Sequence, residues 1–177
     1  MIEFQLAVLE AIARQQSPNI YVELGICGGA TYKSILPYVR GHAYAVDTAP
    51  GVVEEHVTQT SNPKSNAFSM RTDDFSKLWD EDIRKEIDLI FIDADHCKES
   101  VWQDFQNFYK WLKPNTGILA MHDSWPPNQL YTDPGRCGDC YKAIANVKRV
   151  EGAEVLTLPF QYGLTLVRKV DSDWRNG

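Results

Sequence analysis

Apolar residues along the chain switch repeatedly between helical spacing and short continuous runs. Ile2, Leu6, Leu9 and Ala13 recur at helical spacing, and Ser17-Pro18 ends the run, which predicts an amphipathic opening helix over residues 2–16. "NIYVELG" predicts a short buried strand closing on a glycine, and "GATYKSILPYV" returns to helical spacing until Pro37 distorts or ends it. "HAYAVD" predicts a second strand ending in an acid. "GVVEEHVTQT" reads as a short helix before the loop "SNPKSN", "AFSMR" as a third strand, and "DDFSKLWDEDIRKE" as a helix capped by Asp73 or Asp74. "IDLIFIDA" is the most strand-like segment of all. "KESVWQDFQNFYKWLK" places Val101, Phe105, Phe108 and Leu112 on one helical face, with Pro114 as its stop, and "GILAMHD" is a fifth strand. The Pro- and Gly-rich stretch "SWPPNQLYTDPGRCGD" is long for an internal connection and reads as a lid or binding loop. "CYKAIANVKRV" predicts a helix. "AEVLTLP" and "YGLTLVRKV" predict two strands whose link, "FQ", is too short for a crossover, so they must be antiparallel. The tail "DSDWRNG" is expected to fray.

Strand and helix alternating through five units predict an α/β fold: a doubly wound, seven-stranded, mainly parallel sheet finished by an antiparallel hairpin. The 177 residues suffice for one domain, expected to span 1–177. A formal charge of -6 and no Lys/Arg cluster argue against a phosphate-backbone binder, so nucleic acid is not an expected partner. No apolar stretch reaches the length of a membrane span, so no membrane partner is expected either. The opening residues lack a basic leader, which leads to the expectation of a cytoplasmic location. Four cysteines are too few for a disulfide-built scaffold. Oligomeric state is not legible.

In doubly wound sheets, ligands bind at the carboxyl ends of the strands. That rim carries Glu23 to Gly29, Asp47, Asp73, Asp93 to His96, and His122 with Asp123. Gly25, Gly28 and Gly29 stand at a strand-to-helix turn, which either admits a ligand to the backbone or is simply tight. Cys27 takes the second glycine position of a dinucleotide fingerprint, and Glu23 would repel a diphosphate, so a cationic ligand suits the turn better. Asp47 could accept the hydroxyls of a ribose or cap the next helix. "RTDDF" could offer an acid and an aromatic to an adenine, or a cap. The three acids together are more informative than any one of them.

On these residues the sequence resembles the class I S-adenosylmethionine-dependent methyltransferases. "VELGICGGATY" is similar to their E/D-x-G-x-G-x-G motif with Cys27 for the central glycine. "FIDADHCKESVWQDFQNFYKWLKPNTGILAMHD" is similar to a narrower branch of small O-methyltransferases, written I-D-x-D-H, L-K-x-G-G and H-D, with "PNTG" replacing the usual Pro-Gly-Gly turn. The resemblance implies that Glu23, Gly25, Cys27, Gly28 and Gly29 lie along the methionine part of S-adenosylmethionine. It likewise implies that Asp47 and Thr48 meet the ribose, and that Asp73, Asp74 and Phe75 meet the adenine. Asp93 would lie near the sulfonium. It also implies a divalent ion, Mg²⁺ or Mn²⁺, on Asp93, His122 and Asp123. The expected reaction is methyl transfer to a hydroxyl of a small molecule, with Asp93 and His96 as catalytic residues. For His96, a general-base role and a structural one both stay open. Asp95 would only cap the next helix. Cys137-Gly-Asp-Cys140 reads as two ordinary cysteines, although a helix start can depress a thiol's pKa. Trp125, Tyr131 and Tyr141 are candidate walls for the acceptor. A non-catalytic cofactor-binding module is the competing function, and an NAD-dependent oxidoreductase is a third, disfavoured by Cys27 and Glu23.

Overall fold

The computed structural model describes residues 3–49, 51–58 and 64–171. The opening helix α1 (Glu3–Gln16) leads into β1 (Ile20–Leu24), α2 (Ala30–Ile35), β2 (His42–Asp47) and α3 (Val52–Thr58). Next come β3 (Ser65–Ser69), α4 (Thr72–Leu78), β4 (Leu89–Ile92), α5 (Lys98–Tyr109) and β5 (Ile118–His122), then α6 (Ala143–Val147), β6 (Ala153–Leu158) and β7 (Leu164–Lys169). The seven strands form one sheet in the order β3-β2-β1-β4-β5-β7-β6. The first five strands pair in parallel, and β7 lies antiparallel between β5 and β6. The expected doubly wound sheet with its antiparallel hairpin is therefore the observed fold.

Strand alternation divides the core into two layers. Val22, Leu24, Ile90 and Ile92 point toward Phe75, Trp79, Phe105 and Phe108 of the α4–α5 side. Tyr21, Leu89 and Phe91 point the other way, toward Leu9, Ala13, Tyr32 and Ile35 on the α1–α2 side. Burial of each such side chain contributes about 1.5–3 kcal/mol. The same alternation sends Glu23 and the rim residues Asp93 and His122 to the α1–α2 side, which is how sequence parity assembles the site.

Several element edges differ from the pattern's expectation, each for a local reason. β3 lies earlier than "AFSMR", because its pairing with β2 runs from Ser65 opposite Ala43 to Ser69 opposite Asp47. Neither Asp73 nor Asp74 caps α4: the cap position is Arg71, without a side-chain bond, and both acids sit in the first turn, where the helix dipole favours them. α4 then widens into a π-helical turn over Trp79–Ile83, closed by Arg84 at φ 48°. α5 ends at Tyr109, well before Pro114, because the chain leaves the helix to bridge Leu112 with Ile87 beside β4. The link between β6 and β7 is longer than "FQ", since Gly163 (φ 87°) still belongs to the turn. A Cβ on Gly163 would meet the Trp125 backbone nitrogen at 2.3 Å, so this turn packs directly on the chain after β5. Residues 61–63 of the expected "SNPKSN" loop and 172–177 of the expected frayed tail lie outside the described residues. Among the described residues, no helix is long and apolar enough to cross a membrane.

Candidate active site

The turn after β1 is built around Gly25 (φ 84°), where an added Cβ would lie 2.3 Å from the Asp93 carbonyl oxygen. Only glycine lets the tip of β1 lie this close to the tip of β4. Cys27 adopts φ 44° and is exposed. For a residue with a Cβ, that conformation costs about 1–2 kcal/mol. Asp47 holds the turn in place: its Oδ2 accepts from the amides of Ile26 (3.1 Å) and Cys27 (3.0 Å), and its Oδ1 from that of Ala49 (2.9 Å). Asp47 thus braces the glycine turn and also lines the cavity beside it.

A cavity of about 230 Å³ opens beside the turn, lined by Gly25, Asp47, Thr48, Arg71, Thr72 and Asp95 among others. Asp73 pairs with Arg71 at 3.2 Å and Asp74 with Lys77 at 2.8 Å, and neither lines the cavity. Phe75 is fully buried among Tyr44, Phe68 and Phe108. Arg71 and Thr72 represent this segment in the cavity, and no periodicity or motif in the sequence singled them out. Glu23 is buried, accepts the Tyr21 hydroxyl and stays off the cavity wall. Burial, aided by the charge of Asp93, pushes its carboxyl well above the usual range, and the Tyr21 bond opposes that only in part. Asp95 accepts from the Cys97 amide (3.2 Å) and the Ser100 hydroxyl (2.6 Å), anchoring the start of α5.

Past β4 and β5 the rim becomes an acid–imidazole cluster. His122 Nδ1 lies 3.1 Å from Asp93 Oδ1 and 3.2 Å from Asp123 Oδ1. His96 Nε2 lies 3.4 Å from Asp123 Oδ2 and 3.7 Å from Asp93 Oδ1. Burial raises the Asp93 carboxyl, but hydrogen bonds and charge from His122 and His96 outweigh it and hold the group below its ordinary value. Burial lowers His122, yet Asp123 and Asp93 overcome this and lift it to about 9. His96 is raised by its bond to Asp93, partly offset by burial, with the Asp123 charge and the Arg136 carbonyl adding to the rise.

Gln5 of α1, which nothing in the local sequence marks as functional, fixes how His122 presents itself. Gln5 Nε2 donates to the Gly163 carbonyl at 3.1 Å, which turns Gln5 Oε1 toward His122 Nε2 at 2.5 Å. When the ring is neutral, as a metal ligand must be, Nε2 therefore keeps the proton and Nδ1 is the nitrogen that faces the acids. That nitrogen is buried and faces two carboxylates. With its pKa lifted to about 9, His122 holds a proton on Nδ1 between the two carboxylates at neutral pH, and a divalent ion would take that proton's place. Ligand atoms of Asp93, His122 and Asp123 all lie within 4.8 Å of one another, and this donor set of carboxylate oxygens with one imidazole fits a divalent ion.

The long loop after β5 closes over the cluster. His96 Nδ1 is bonded to the Arg136 carbonyl, and the His96 carbonyl accepts the amides of Asp139 and Cys140, both at 3.0 Å. Asp139 Oδ1 takes the Lys98 amide (2.8 Å), so the loop itself caps α5. A basin of about 470 Å³ lies here, lined by His96, His122, Asp123, Tyr131, Arg136 and Tyr162 among others. Of the proposed aromatic walls, Tyr131 belongs to this basin, while Trp125 and Tyr141 line a separate cavity of about 730 Å³. Cys137 and Cys140 are both buried free thiols, and Cys140 Sγ faces the Asp123 and Cys137 carbonyls at 3.3 and 3.1 Å. Burial, with the Asp123 charge, pushes Cys137 up to about 12 and Cys140 up as well, so the depressed thiol pKa considered from sequence is not found.

The sequence model of a family described as a methyltransferase domain matches residues 22–124, from β1 to the residue after Asp123. No curated protein matches the sequence. Among solved structures, the O-methyltransferase TomG of Streptomyces achromogenes, involved in tomaymycin synthesis and crystallised with S-adenosylmethionine, superposes with a TM-score of 0.78. It is 15% identical, over 97% of this chain and 82% of that one. The O-methyltransferase of Bacillus cereus, bound to S-adenosylhomocysteine, gives 0.76 at 16% identity over 96% and 82% of the two chains. The methyltransferase PaMTH1 of Podospora anserina, also bound to S-adenosylhomocysteine, gives 0.76 at 18% identity over 97% and 80%. At such identities these likenesses establish a shared fold.

Proposed function

The chain belongs to the methyltransferase-domain family, and from that premise we propose that it moves the methyl group of S-adenosylmethionine to a hydroxyl of a small molecule, assisted by Mg²⁺ or Mn²⁺. The observation that carries this reading is the placement of His122 Nδ1, at the tip of β5, between Asp93 and Asp123, with Asp93 on a β4 tip that packs against Gly25 of the glycine turn. Donor pocket and cation ligands then share one wall.

S-Adenosylmethionine supplies an activated methyl on a sulfonium. Gly25 leaves its backbone open to it, while the Asp47-braced turn and the cavity with Thr48, Arg71 and Thr72 accommodate the nucleoside. Asp93, His122 and Asp123 would hold the divalent ion, which acidifies an acceptor hydroxyl and orients it. His96 reconciles its two readings. Its Nδ1–H donates to the Arg136 carbonyl, which fixes the ring and leaves Nε2 facing the basin's acids as the atom that takes the hydroxyl proton. Asp93 and Asp123 stabilise the imidazolium so formed. Tyr131, Tyr162 and Arg136 offer the acceptor two aromatic surfaces and a cation, and Arg136 already stacks 4.9 Å above the Tyr131 ring. A cytoplasmic setting accords with four free thiols.

Calorimetry with S-adenosylhomocysteine tests donor binding, and a methyl-transfer screen over hydroxylated small molecules tests the chemistry. Asp93→Asn is expected to lower transfer at least about 100-fold through loss of a ligand at the reacting centre. Full transfer by that variant, or no affinity of the wild type for S-adenosylhomocysteine, would refute the reading.

A further inference from the structure

The largest of the three cavities described above, about 730 Å³, plays no part in the reaction just derived. It lies between the chain that follows Asp123 and the outer side of the segment around α6. It shares no lining residue with the basin over the acid–imidazole cluster. The short 3-10 turn Gln129–Tyr131 contributes to both, with Gln129 on this cavity and Tyr131 on the basin.

Its wall combines three kinds of group. Trp125, 53% exposed, and Tyr141 give flat apolar surface. Lys142 and Lys148 give two ammonium groups: Lys142 pairs with Asp139 at 3.3 Å, and Lys148 has no acidic partner among the described residues. Ser124 is the third: it lines the cavity, is only 4% exposed, and its Oγ has no hydrogen-bond partner. A buried hydroxyl without a partner costs free energy, so the site is incomplete as it stands. In a chain of net charge -6, a lysine pair around an aromatic-walled cavity is a local exception that selects for negative charge.

We propose that this cavity is a second binding site, distinct from the site of methyl transfer, for a small aromatic carboxylate. Its ring lies against Trp125 and Tyr141, and its carboxylate accepts from Ser124 Oγ and from Lys142 and Lys148. An ammonium is a compact charge that tolerates varied anion geometry, so the aromatic walls and the buried hydroxyl supply the selectivity.

Amide-resolved NMR titration of the full chain with benzoate, without methyl donor or metal, tests the site independently of the catalytic reading. Saturable shifts are expected at Ser124, Trp125, Ala145 and Lys148. Lys142→Met and Lys148→Met, both surface changes, are each expected to weaken binding about fivefold, and Ser124→Ala by a similar factor. Benzyl alcohol, which keeps the ring and lacks the charge, and inorganic phosphate, which lacks the ring, should both bind more weakly than benzoate. The proposal is overturned by absence of saturable shifts, by shifts centred instead on Tyr131 and Arg136, or by benzoate affinity unchanged in the double lysine variant. Phosphate binding as tightly as benzoate would equally overturn it.

Discussion

Gln5 and Asp104 show how single buried polar side chains far from any motif shape this protein. Gln5 sets the His122 tautomer through two hydrogen bonds, so Gln5→Leu should leave the fold intact while weakening Mn²⁺ binding about 10–100-fold, read by calorimetry. Unchanged affinity would remove Gln5 from that role. Asp104, on α5, is 2% exposed with an unpartnered Oδ2. Burial, with Asp73 and Asp95 adding, pushes its carboxyl from 3.8 to about 7 against the opposing bond from Thr72. Between about pH 4 and pH 7 the folded chain holds this proton and the unfolded chain does not. Stability from this group is therefore full below about pH 4, falls by roughly 1.4 kcal/mol per unit as pH rises, and levels off above pH 7. Asp104→Asn should flatten that slope and exceed the wild type in stability at pH 8, measured by urea midpoints across the range; parallel pH profiles would contradict this. Asp93, His122 and Asp123 were legible in sequence because ionisable groups at the ends of apolar strands stand out. Gln5 was not, because its partner lies 117 positions away and an amide on a helix face carries no local signal.

The turn between β1 and α2 is the element on which donor and cation halves of the site both depend. Gly25→Ala forces a Cβ into the Asp93 backbone at 2.3 Å and imposes φ 84° on a residue that resists it. We expect a loss of about 3 kcal/mol or more in unfolding experiments, together with loss of S-adenosylhomocysteine binding. A variant with wild-type stability would show that the two strand tips are not as tightly apposed as described. Element type was readable wherever periodicity was strong, as in β2, β4 and α5. Edges were less so, because partners set them: β3 follows β2, and α5 yields to the Ile87–Leu112 bridge. Asp73 and Asp74, expected on the adenine side, sit in the first turn of α4 and pair with Arg71 and Lys77. α4 starts at Thr72, which turns Phe75 into the core and leaves Arg71 and Thr72 on the cavity.

Across the whole molecule, the sheet order brings β1, β4 and β5 side by side, so residues from positions 25, 93 and 122–123 meet at one rim. Alternating strands and helices made that architecture readable in advance, and the short β6–β7 link made the antiparallel ending readable too. What sequence could not supply was the division of the space above the rim. The loop after β5 parts it into a reaction basin and a second cavity, through packing on Gly163 and capping of α5 by Asp139. The most direct test of the joined donor and cation sites is the initial rate of S-adenosylhomocysteine formation by the wild-type chain, with an accepted hydroxylated substrate, as Mg²⁺ is titrated in and then removed with chelator. The rate is expected to rise saturably with Mg²⁺, collapse on chelation and return when the ion is restored. An undiminished rate in excess chelator would remove the divalent ion from the reaction.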